Sequence, residues 1–414
     1  MIRIAFARLA GGESGEPAES LAQGGPLDYL LLTCDRESLG QLRGLVNGWE
    51  GRLRRAGTRL LVGLEDCKPG KVAALLRETN AGIRVGAVTG AILDWAAGEI
   101  QGHGVELPAG LKSIQALAEG AAVAGALRQG AEIVVVSECL GESLAAAAGL
   151  HAYAWGLDNY GRLAGAAVAG RILGAGPVAC GGGCTLDWET LDAPSRIDGP
   201  VAELEEDGTF AITKQAGSGG EVSRHCVLDA LLGGIGDPAE LVMPELRVDI
   251  TALRLGGDGK NRVVVRGARG EAGGCGLAVT RWSAGWRVTA MAIYAGPAAL
   301  QKAYAADRIL RERAARLNLA VEEIHGEFLG AGAWQTEAGG GVGRAAEVVW
   351  RVAVRGASEA EMQRVAREIR TAVRSGPPGG YLAAGAGEPL VEEMCGRRIC
   401  RIPAHLALTK VEVR

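Results

Sequence analysis

The chain has 414 residues, with 44 Lys and Arg against 48 Asp and Glu and a formal charge of −4. That length supports two or three domains with sizeable cores. Without a basic stripe to neutralise phosphates nucleic acid is not an expected partner, and Ala-rich stretches such as SLAAAAGLHAYAWGL are too short or too polar to span a bilayer, which argues against membrane.

Short apolar runs open the chain: IRIAF (2–6), DYLLLT (28–33), TRLLVG (58–63), GIRVGAV (82–88) and EIVVVS (132–137). Near-continuous apolarity marks strands buried on both faces of a parallel sheet. Helical patterns at 36–46, 70–79 and 112–127 separate them, so a doubly wound, mostly parallel α/β domain is expected over 1–175. Its last helix lies in LDNYGRLAGAAVAGRILGAG, with Asp158 suited to the N-cap and Gly174 or Gly176 to the stop. Gly161, Gly165 and Ala169 recur there every four residues, a stripe small enough for another backbone to pack closely.

The pattern then changes. LRVDITALRL, NRVVVRGA, CGLAVTRW and GWRVTAMAIY alternate between residues 246 and 294, as antiparallel strands with one solvated face do. A helix from Pro297 to about Leu317 follows, and 176–318 is expected to be an α+β domain. In 319–414, EAGGGVG (337–343) is expected as a loop. The strand EVVWRVAVRG, a helix starting at a Ser N-cap and the closing strand HLALTKVEVR suggest a small ferredoxin-like α+β domain.

Familiar cofactor signatures are missing. There is no GxxxxGK[ST] and no GxGxxG after the first strand, nor a GxSxG elbow or HExxH helix, so neither a redox cofactor nor a metal is expected. Cys180 with Cys184, and Cys395 with Cys400, lack zinc-site spacing and read as free thiols. Nine cysteines, an odd number, do not make a disulfide framework. MIRIAFARLAGGESGEP lacks a signal peptide's apolar core, so a cytoplasmic protein is expected.

Two stretches carry chemistry. His151 is read as standing just past the fifth strand, where open parallel sheets bind ligands, and as a general base or acid. Glu138 and Glu142 are alternative acid–base groups at the same strand end. TKQAGSGGEVSRHCVLDALLGGIGDP (213–238) opens from a glycine turn into a helix. Ser218 and Glu221 have capping-box spacing. The same turn could instead bind an anion through the amides of Gly217, Ser218, Gly219 and Gly220, with Lys214 adding charge. The two readings do not exclude each other.

At this stretch the chain resembles the acyclic terpene utilisation (AtuA-like) family. HAYAWGLDNYGRLAGAAVAGRILGAG, the segment from DGPVAELEEDG to MPELRVDI, and RVVVRGARG occur in family order. Lys214, Gly217, Ser218, Gly219, Gly220, Gly236, Asp237 and Pro238 match its pattern. Resemblance is good over about 130–300, fair beyond and weak before. LVGLEDCKPG stands where members carry an Asn-Ala-Gly-Gly-like turn. SECLGES replaces a Gly-Arg-x-x-Asp-like turn, and GPVACGGG a Gln/Thr-containing one.

The resemblance implies a catabolic protein that binds or acts on a small-molecule substrate, an acyl-CoA ester or related carboxylic acid, by hydration, carbon–carbon cleavage or hydrolysis. Lys214 and the Gly217–Gly220 turn would hold its anionic part. The alternative is a non-catalytic scaffold or binding subunit, which the altered turns and the small-residue stripe favour. A homo-oligomer is expected, with a second subunit able to complete the site.

Overall fold

Residues that are apolar at every position can only be satisfied with cover on both sides, and the first unit is built that way. The computed structural model describes residues 1–11, 16–48, 54–79, 82–183, 188–257, 259–330, 346–383, 385 and 387–414. Cys184 and the 337–343 segment lie outside them. The chain divides into two compact units, one of Met1–Glu106, Ser113–Thr280 and Ile399–Arg414, the other of Leu107–Lys112 and Arg281–Arg398.

In chain order the first unit begins β1 (Ile2–Leu9), α1 (Glu16–Gln23), β2 (Tyr29–Cys34), α2 (Leu39–Asn47), β3 (Arg59–Leu64), α3 (Pro69–Thr79) and β4 (Val85–Gly90). It continues α4 (Ala97–Gly102), β5 (Leu111–Ala116, of which Leu111 and Lys112 belong to the second unit), α5 (Gly120–Arg128), β6 (Ile133–Ser137), α6 (Gly141–Ala152) and α7 (Tyr160–Gly174). Next come β7 (Pro200–Leu204), β8 (Phe210–Lys214), α8 (Arg224–Leu232), β9 (Leu241–Val242), β10 (Leu246–Asp249), β11 (Arg254–Gly257), β12 (Val263–Arg266) and β13 (Arg269–Ala272).

Ten strands form one sheet in the order β11-β12-β8-β7-β1-β2-β3-β6-β4-β19, where β19 is the closing strand Thr409–Val413. The central run from β1 to β4 is parallel. The flanks are antiparallel, so the sheet is mixed rather than mostly parallel. Alternate residues of β1, β2, β3 and β6 feed two separate cores. Ile4, Phe6, Leu31, Leu61, Val134 and Val136 pack with α5, α6 and α7. Ala5, Ala7, Leu30, Leu32, Leu60 and Val62 pack with α1, α2 and α3. The protein is therefore mixed α/β, with ten α-helices among the described residues.

The second unit is centred on β14 (Gly276–Ala295), β15 (Glu323–Leu329), β16 (Glu347–Gly356), β17 (Gly380–Leu382) and β18 (Leu390–Ile402), with α9 (Ala299–Arg316) and α10 (Glu359–Arg374). Val288, Ala290, Ala292, Tyr294, Trp350 and Val352 turn one sheet face to the helices. Ser358 caps α10 as expected, accepting the Glu361 amide.

Several expectations are corrected. The helix expected over 112–127 is two elements, because Leu111–Ala116 alternates with period two and runs as a strand, and helix begins only at Gly120. CGLAVTRW and GWRVTAMAIY form one strand of 20 residues, since Gly285 at φ 93 continues the strand instead of turning it. The closing strand pairs antiparallel with β4 in the large sheet, not with the C-terminal sheet. The small-residue stripe packs against this chain itself. A Cβ on Gly165 would stand 1.9 Å from the Gly208 carbonyl oxygen, which is why only glycine serves there. Among the described residues no helix is long and apolar enough to cross a membrane.

Candidate functional site

The parallel strands β3 and β6 are neighbours, and the residue just beyond β6 is strained. Glu138 has φ 32, in the left-handed region that disfavours any residue but glycine, by about 1–3 kcal/mol. It is only 3 % exposed, and its carboxylate accepts the Asp66 amide at 3.2 Å. Asp66, just beyond β3, also has positive φ, at 53. Two strained loops joined by a buried carboxylate thus form the floor of the strand ends.

Glu142 lies in the first turn of α6, which favours negative charge. It pairs with Arg171 of α7 at 3.5 Å. Arg171 is held in place by donating to the Leu231 and Gly233 carbonyls at 2.9 and 2.8 Å. Glu142 and Arg171 line two cavities. One, of about 260 Å³, is walled by Leu140, Asp237, Glu240, Val242 and Met243. The other, of about 290 Å³, is walled by Phe6, Gly141, Gly170 and Ala230. Gly236 and Asp237 of the GDP stretch thereby reach the same place as Glu142.

Glu245, just before β10, completes the cluster. Its carboxylate accepts the first amide of α5, from Gly120, and the hydroxyl of the fully buried Ser143 at 3.0 Å. Burial pushes the Glu245 carboxyl up to about 7, against the pull of those hydrogen bonds. Burial also holds the Cys139 thiol well above its usual range, helped by the Glu245, Glu142 and Glu138 carboxylates around it. A buried carboxyl raised toward neutrality and held by Ser143, the residue after the ion-paired Glu142, is an arrangement suited to acid–base chemistry. Nothing local in MPELRVDI marks Glu245, because its partners are 102 and 125 residues away. Among the described residues no group of three or more metal-ligating side chains converges.

His151 is elsewhere. It lies in the last turn of α6, and that helix carries it back across the sheet from β6. It stands nine positions after Glu142 on that helix, a rise of about 14 Å. Its Nδ1 meets the Tyr29 hydroxyl at 2.6 Å, at the starting end of β2. Burial, then Arg59 and Arg128, lowers its pKa. Of the three expected acid–base groups, the fold gathers Glu138 and Glu142 and leaves His151 apart.

The glycine turn does not present a free cradle. Lys214 Nζ donates to the Ser218, Gly219 and Gly220 carbonyls at 2.7, 2.9 and 2.7 Å. The amides of Gly219, Gly220 and Glu221 go to the Arg196, Asp192 and Cys180 carbonyls. A Cβ on Gly219 would lie 2.0 Å from the Ala193 oxygen, so the glycines admit the chain's own backbone. Gly217 and Gly220 have φ 85 and 73. The capping box is also displaced. Helix α8 starts at Arg224, Ser223 accepts the Cys226 amide, and Ser218 instead donates to the Arg196 carbonyl.

The second unit has a cavity of about 360 Å³ on its sheet, lined by Arg287, His325, Glu327 and Arg351. Its charges answer one another: Arg351 and His325 pair with Glu327, and Arg287 with Glu392 at 2.9 Å.

The model of the acyclic terpene utilisation family, protein AtuA, matches residues 68–411. No curated protein and no solved structure matches the chain.

Proposed function

Because the chain belongs to the acyclic terpene utilisation family, we propose that it serves terpene catabolism by proton transfer at the strand ends around Glu138, Glu142 and Glu245. The substrate is a small carboxylic acid or its acyl-CoA ester, and the reaction is a hydration, carbon–carbon cleavage or hydrolysis in the cytoplasm. The observation that carries this reading is the Glu142–Arg171 pair lining the cavity, with the Glu245 carboxyl, raised to about 7 by burial, hydrogen-bonded to Ser143, the next residue along α6. Glu245 exchanges a proton with the carbon next to the acyl carbonyl, while Arg171 bears on the developing oxyanion. The apolar wall of Leu140, Val242 and Met243 takes the hydrocarbon.

A second reading has one observation of its own. Lys214 and the glycine amides, the expected anion holders, are consumed by carbonyls of this chain, as in a binding subunit that works with a partner or with further copies of itself. Solvent deuterium exchange separates the two. The protein is incubated in D₂O with an acyclic terpenoid acid and with its CoA ester, and label is read by mass spectrometry. Incorporation that disappears in Glu245→Gln supports catalysis. Binding without incorporation or turnover supports the subunit.

A further inference from the structure

Beyond β2 and β3 the structure has a second, differently charged cavity. It measures about 270 Å³ and is lined by Arg36, Leu39, Asp66, Cys67, Lys68 and Lys71, together with Val72. Arg36 comes from the loop after β2, Lys68 from the loop after β3, and Lys71 from the first turn of α3. Three cations are thus brought from two neighbouring parallel strand ends to one hollow, facing a single carboxylate, Asp66. None of the three has an ion-pair partner among the described residues, whereas Arg54, Arg171 and Arg287 each have one. Asp35, next to Arg36 in the chain, is turned into its own loop, where it accepts the Gly11 and Ser38 amides at 2.7 and 2.8 Å. The first amides of α3 are not the attraction, since those of Lys71 and Val72 already go to the Lys68 carbonyl. The charge is on side chains.

We propose that this cavity is an anion site for a diphosphate or phosphate ester, gripped by the Arg36 guanidinium fork and the two lysine ammoniums. Like charges gathered without partners repel one another, and a polyanion removes that repulsion on binding. The place is right for a ligand, outside the carboxyl ends of parallel strands. It also adjoins the acidic cluster, because Asp66 lines the cavity while its amide holds Glu138. A phosphate anchored here leaves the rest of the ligand free to reach the carboxylates. That last link rests on the proton-transfer reading; the anion site does not.

Isothermal titration with coenzyme A and with inorganic pyrophosphate tests it, in the wild type, Arg36→Ala/Lys71→Ala and Glu245→Gln. The expected result is binding that weakens at least tenfold in the double variant, weakens with added salt, and persists in Glu245→Gln. These side chains are exposed, and equal urea midpoints for the double variant and wild type confirm an intact fold. Binding of coenzyme A alone assigns the site to a carrier-linked ligand, and binding of pyrophosphate alone to a free diphosphate. Binding of neither probe, or an unchanged dissociation constant in the double variant, overturns the proposal. Loss of deuterium exchange in Glu245→Gln with coenzyme A still bound bears on the proton-transfer reading alone.

Discussion

Replacing Glu245 by Gln should make the protein more stable at alkaline pH, although it removes a charged group with two hydrogen bonds. The ordinary value of the carboxyl is 4.5, and burial raises it to about 7. Between those values the folded chain holds a proton that the unfolded chain has released. The stability this supplies is complete below pH 4.5 and is lost as pH rises through about 7. At about 1.4 kcal/mol per pH unit, the rise from 4.5 to about 7 gives roughly 3.5 kcal/mol as a ceiling. Part of the side chain still meets water, and screening lowers the expected value to about 1–2 kcal/mol. Gln stays neutral, accepts the Gly120 amide and donates to Ser143, so it mimics the protonated acid. Urea unfolding of both proteins at pH 5, 6, 7 and 8 measures the difference. The variant should gain on the wild type from pH 5 to about 7 and level off above it. Parallel stability curves would refute the argument that Glu245 titrates near neutrality.

Other outcomes follow from the same geometry. Gly165→Ala drives a methyl into the Gly208 carbonyl and should cost about 2–4 kcal/mol. Gly161→Ala, with open space around it, should gain about 0.5–1 kcal/mol from helix propensity, and thermal melts compare the two. Lys214→Met leaves three carbonyls without their donor and should cost about 2–4 kcal/mol in urea midpoints, with coenzyme A affinity unchanged. His151→Phe should lose about 1–2 kcal/mol through the unpaired Tyr29 hydroxyl while deuterium exchange continues. Because the fold lowers the pKa of His151, the stability it contributes is present above pH 6.5 and falls away on acidification. The wild type should therefore lose its advantage over His151→Phe below that pH.

Much of the first unit was legible in advance. The runs at 2–6, 28–33, 58–63, 82–88 and 132–137 all became strands, because a segment apolar at every position has no other stable place than between two layers. The stripe on α7 was legible too, as close packing around Gly165, although its partner is the chain's own β7–β8 turn and not a second molecule. Family membership came from motif order over the middle of the chain, and the match covers 68–411.

The site was legible only in part. The position of Glu138 and Glu142 at a strand end was legible because they follow a recognisable strand. His151 was misplaced because LAAAAGL, which leads up to it, is apolar at every position and shows no period, so the length of α6 could not be seen. The glycine turn was ambiguous for a physical reason. A turn that exposes amides to an anion and one that offers carbonyls to a lysine need the same residues, and only the neighbouring chain decides.

Local patterns, then, determined what each segment of this protein becomes, since burial periodicity, caps and turns act over a few residues. Tertiary structure alone decided what the charged groups do. Glu245 meets Gly120 and Ser143 across more than a hundred residues, and Arg36 meets Lys68 and Lys71 only once β2 lies beside β3. The energy of a charge depends on the distance and dielectric around it, and neither exists until the chain is folded.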